Sequence, residues 1–106
     1  MWLRMMWHRN TSWFKCFVAG RNFSGVLVGD SNPVGFYTTC FVRARSKELA
    51  EVAAIGLVRA DKRLELPSGC LPLPNESIIV EEIIEVNTDA VPRHAEGFVW
   101  YDMETN

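Results

Sequence analysis

Residues 91–98 read VPRHAEGF and bring Arg93, His94 and Glu96 within four positions of one another. Histidine is the side chain whose unperturbed proton affinity lies nearest neutrality, and loops are where such groups act. With Tyr101 shortly downstream, Arg93, His94, Glu96 and Tyr101 make a candidate ligand site. No nucleophile or second acid is spaced to work with the imidazole, so no residue is assigned a catalytic role. His8 and His94 lack the spacing of metal ligands, which leaves no predicted metal site and no predicted cofactor. Glu81, Glu82 and Glu85 are no dyad either. On a regular strand Glu81 and Glu85 share a face and Glu82 takes the other, where the first two can oppose Lys15, Arg43 or Arg45 across strands. Cys16, Cys40 and Cys70 are odd in number, widely spaced and without a CxxC pair. They imply reduced thiols and a cytoplasmic setting, with Cys16 and Cys40 as small buried hydrophobes. GxGxxG, GxxxxGK[ST] and GxSxG are all missing from the chain, which points away from an enzyme.

The richer candidate is aromatic. WFKCFVAG and FYTTCFVRAR alternate as strands do, so each offers two faces. If the face of Val42 looks at a helix, then Tyr37, Phe41, Arg43 and Arg45 look away, joined by Trp13, Lys15 and Phe17 from the preceding strand. Trp13, Phe17, Tyr37, Phe41, Arg43 and Arg45 therefore form the predicted binding surface. Large bare apolar patches are rare on monomers, so a protein partner or a second copy of the chain is the expected occupant. Single-stranded nucleic acid stacked on the rings is the competing reading. The pI of about 5.6, the acidic stretch VEEIIEV and the missing aromatic-and-glycine signature of RNA-binding sheets argue against it.

These residues must be held by a small scaffold. VLVG reads as a short second strand in a hairpin with the first, residues 36–45 as a third strand, and Ser46 as the cap of a helix. The stripe Leu49, Val52, Ala53, Gly56, Leu57 and Ala60 is the predicted sheet-facing side of that helix, with Ile55 and Val58 away from it. Pro67, Pro72 and Pro74 force a loop. SIIVEEIIEV is a long strand with Ile78, Val80, Ile84 and Val86 in phase, and FVWYD a final short one. The predicted fold is α+β: an antiparallel sheet of four to five strands, order β-β-β-α-β-β, with one helix on one face. Residues 1–12 read as a flexible tail, 13–102 as one domain and 103–106 as a frayed end. The chain is 106 residues long, 48% hydrophobic and 23% charged, enough for one core. Its net charge of -2 gives no basic field for nucleic acid or anionic lipid, and no apolar run approaches membrane-spanning length. At this size self-association is an effective way to bury more apolar surface, which makes a homodimer the expected state.

Three segments, WFKCFVAGRNF, GFYTTCFVRARSKELAEVAA and IIVEEIIEV with PRHAEGFVWY after it, resemble a group of small uncharacterised bacterial single-domain α+β proteins. The resemblance covers roughly residues 13–102 and implies the same strand-and-helix order in a bacterial cytoplasmic setting. It implies no activity.

Overall fold

The computed structural model describes residues 10–94 and 97–104. Among them are four strands and one α-helix: β1 (Ser12–Phe23), β2 (Val34–Ala44), α1 (Lys47–Arg59), β3 (Ser77–Val86) and β4 (Phe98–Asp102). The sheet is antiparallel throughout, in the spatial order β3-β1-β2-β4. The α+β class and the antiparallel sheet are as expected, but there are four strands, in the order β-β-α-β-β.

The missing strand is VLVG. Residues Gly25–Val28 form a 3-10 turn instead, which Ser24 starts by accepting the Val26 N–H at 3.4 Å and Gly29 ends at φ 73°. The turn then folds back on itself. A Cβ on Gly25 would lie 2.2 Å from the Asn32 carbonyl oxygen, so the backbone there is too tightly coiled for an extended run. Asp30 completes the bend by accepting the Asn32 N–H at 2.9 Å, and β2 follows Pro33.

β2 and α1 meet at a sharp corner. Ser46 accepts the Leu49 N–H at 3.1 Å, as its type and position predict, and Glu48 lies in the first turn where the helix dipole favours it. The rotation of the helix departs from expectation. Ala50, Ala54 and Val58 are buried, whereas Leu49, Val52 and Leu57 are 53%, 69% and 53% exposed, and Gly56 faces open space. Apolar residues occupy well over half of this helix, so their spacing permits more than one seating. The sheet presents Phe14 and Phe36 upward, and the small side chains at 50 and 54 are the ones that let the helix settle over such rings.

The core lies between α1 and the even-numbered residues of β1 and β2: Phe14, Cys16 and Val18, then Val34, Phe36, Val42 and Ala44. Phe36 is its centre, fully buried, with ring centroids of Phe23, Phe98 and Trp100 at 5.2, 4.7 and 5.3 Å. Gly20 makes room for it, since a Cβ there would lie 2.0 Å from the Phe36 ring. Leu27 and Leu64, on short turns, close the part of this face that the helix does not reach. Burial holds both thiols of the directly paired Cys16 and Cys40 above their ordinary range, the second at about 12. Cys16 is buried and Cys40, expected to be so too, is only partly buried; neither is in a disulfide.

β3 is irregular. Phe17 pairs with Glu82 but Val18 with Val80, so a bulge at Glu81 shifts the register by one residue. The expected single phase is thereby broken: Ile78 and Val80 pack toward the helix, while Ile84 and Val86 belong to the opposite face. The carboxylates are redistributed too. Glu82 and Glu85 fall opposite Phe17 and Phe14, so Glu85 takes the face away from Lys15, and β1 stands between β3 and Arg43 of β2, contrary to the predicted cross-strand pairs with these two residues. At the chain end the Met103 N–H donates to the Pro33 carbonyl at 3.0 Å, and Glu104 donates to Asp102 at 2.7 Å.

Candidate functional site

Among the described residues no helix lies over the second face of the sheet. Its residues follow from the register: Trp13, Lys15, Phe17, Ala19 and Arg21 on β1, Gly35, Tyr37, Thr39, Phe41 and Arg43 on β2, and Val99 and Tyr101 on β4. Ser77, Ile79, Glu82, Ile84 and Val86 complete it on β3. Four of the predicted residues, Trp13, Phe17, Tyr37 and Phe41, are thus brought onto one surface, and Arg43 joins them. Arg45 lies beyond the end of β2, at the corner leading into the helix.

Three rings form a ladder across β1, β2 and β4. Phe17 and Tyr37 are stacked with centroids 5.4 Å apart and planes 9° from parallel, and Tyr37 and Tyr101 likewise at 5.4 Å and 24°. Tyr37, on the middle strand, has a ring to either side. Tyr101 reaches this position because Gly35 lies beneath it, where a Cβ would meet the ring at 2.3 Å. Partial burial raises the Tyr101 phenol above its ordinary value, Tyr37 adding to the effect and Arg21 opposing it. Tyr101 and Gly35 were not connected to this surface by sequence pattern, since strand order decides which aromatic lies beside which glycine.

Large apolar side chains remain open around the ladder. Val99 is 67% exposed, Ile79 48%, Ile84 45% and Phe17 36%. Charges of both signs surround them, Lys15, Arg21 and Arg43 against Glu81 and Glu82, all exposed. Arg43 stands 5.8 Å from the Trp13 ring and donates through Nε to Thr11 at 2.9 Å.

The second candidate site is divided. Arg93 and His94 line a cleft of about 400 Å³ beside β2, together with Leu57, Val58, Phe98 and Arg63. Tyr101 does not line that cleft and belongs to the ladder, while Glu96 lies outside the described residues. Within the cleft, Asp61 is held in an ion pair with Arg63 at 2.8 Å, which keeps its carboxyl below the ordinary range. Arg63 also lies over the Phe98 ring at 4.3 Å.

No family model, curated protein or solved structure matches this chain. The functional reading therefore rests on geometry alone. Among the described residues no cluster of metal-ligating side chains occurs, and no helix is long and apolar enough to cross a membrane.

Proposed function

We propose that the protein is a small interaction module that self-associates through its uncovered sheet face. The observation that carries this reading is the ordered ladder of Phe17, Tyr37 and Tyr101 within an apolar surface open to solvent. Three strands of about ten residues and one of about half that length, spaced by ~4.8 Å and rising ~3.3 Å per residue, give a face of roughly 550 Å² in projection. That is the order of the ~800 Å² per partner that a stable interface buries. Charges of both signs on the same face let a second copy, turned by a two-fold rotation, set acid against base.

A nucleic-acid role draws less support from the same geometry. Stacking platforms present ring faces to bases, whereas Tyr37 already has a neighbouring ring to each side.

Light scattering over a dilution series tests the proposal with the wild type and Val99→Glu. Val99 is 67% exposed, so the substitution puts a charge on the face without entering the core. A wild-type dimer and a folded monomeric variant are the expected outcome. A wild-type monomer at all concentrations, or a variant that dimerises equally well, removes the proposal.

A further inference from the structure

β2 is eleven residues long, but β4 covers only its first part. The ladder between them runs from Val34 opposite Asp102 to Thr38 opposite Phe98 and stops there. At that end of the ladder the Thr38 hydroxyl donates to the Gly97 carbonyl at 2.9 Å. Residues 39–44 are therefore bonded to β1 on one side and to no described strand on the other. Along an edge of this kind, peptide N–H and C=O groups point outward and can bond an added strand.

The β3 edge and the uncovered part of β2 differ in how they meet an incoming chain. β3 has a bulge and the exposed carboxylates of Glu81, Glu82 and Glu85, devices that discourage edge pairing. Residues 39–44, TCFVRA, have no proline, no acidic side chain and no break in register with β1. Only here does the edge adjoin the cleft of about 400 Å³, which Leu57, Val58 and Phe98 make apolar and Arg93 and His94 make polar. Among the described residues of that cleft the one acidic side chain, Asp61, is taken by Arg63. Arg93 is exposed, and no described carboxylate pairs with it.

We propose that residues 39–44 of β2 and the adjoining cleft bind an extended peptide segment of alternating apolar and acidic residues, which adds to the sheet as a fifth strand. Main-chain bonds to β2 hold the segment, its apolar side chains enter the cleft beside Leu57 and Phe98, and its carboxylates meet Arg93. The same charges direct such a segment away from β3, where the glutamates repel it. This site leaves out the three rings of the ladder, although Trp13 and Phe41 of the open face also line its cleft, and its occupation does not require self-association.

The probe is a fluorescein-labelled hexapeptide of alternating valine and glutamate, titrated against the full chain and followed by anisotropy. Two control peptides accompany it, one with lysine in place of glutamate and one N-methylated on alternate amides. The expected result is saturable binding that falls at least tenfold with the lysine peptide and with Arg93→Glu, and disappears with the N-methylated peptide. Amide shifts should concentrate at residues 39–44, and Val99→Glu should bind as well as the wild type. That last arm separates this site from the proposed dimer face. No binding up to millimolar peptide overturns the proposal, as does equal binding by the N-methylated peptide. Indifference to Arg93→Glu, or shifts centred on Phe17 and Tyr37, also overturns it.

Discussion

Both faces of the sheet carry an aromatic group seated over a glycine, and the two groups are built differently. Under the helix, Phe36 lies over Gly20 among rings inclined to it by 34° to 62°, without a hydroxyl among them. On the open side, Tyr101 lies over Gly35 in a ladder whose planes are nearly parallel, and two of its three rings are tyrosines. Inclined packing fills a closed volume from every direction. Parallel stacking orders rings side by side while leaving their outer edges to water, and the hydroxyls of Tyr37 and Tyr101 can bond that water. The first arrangement holds the fold together, and the second is ordered on a face left open.

The comparison is broken most strongly at its covered half. Phe36→Ala should cost about 3–5 kcal/mol, since it empties the centre of the core, and denaturant unfolding should show a large drop in midpoint. The equivalent change on the open side, Tyr37→Ala, should cost less than half as much and act chiefly on association. The paired glycines sharpen the contrast. Gly20→Ala drives a methyl into a ring that has no free space, an overpacking cost of about 1–3 kcal/mol. Gly35→Ala meets a ring that can swing into solvent, so its stability loss should stay below about 1 kcal/mol while near-ultraviolet circular dichroism of the stacked tyrosines diminishes. If the two alanines cost the same, the open ladder is as rigid as the core and the distinction fails.

The smallest signal belongs to the thiols behind the covered face. Cys40 ionises at about 12 in the fold against 9.0 unperturbed, and Cys16 is also raised. Below pH 9 both states keep the proton and stability is unaffected. Above it the unfolded chain ionises first, so stability should decline between about pH 9 and 12, modestly because Cys40 is only half-buried. At pH 8 an alkylating reagent should consume the exposed Cys70 quickly and the other two only after denaturation.

Much of this arrangement was legible in the residues. The alternation of β1 and β2, the Ser46 cap, the proline loop and the two downstream strands reflect local chemistry and appear where it predicts. The open aromatic face was legible as well, because period-two spacing places Tyr37 and Phe41 together whatever the strand order. Three features were not. VLVG has strand-forming residues, yet Ser24 and Gly29 coil it, and their hydrogen bonds outweigh the propensity of three short side chains. The helix carries so many apolar residues that its sequence leaves the buried side undetermined, and the rings beneath it make the choice. The bulge at Glu81 arises from pairing with β1, a partner that strand sequence does not name. The division of the loop residues has the same origin: Tyr101 is eight positions from Arg93, but β4 delivers it to the ladder.

β4 is short, and consecutive residues of it serve opposite sides: Trp100 packs against Phe36, and Tyr101 against Tyr37. It is bonded to one neighbour over five residue pairs. A strand so lightly held is the natural first unit to detach, and its departure would uncover Phe36 and dismantle the tyrosine stack in one event. Amide hydrogen exchange in β4 should therefore report on both sides of the sheet at once, slowing whenever either side is filled.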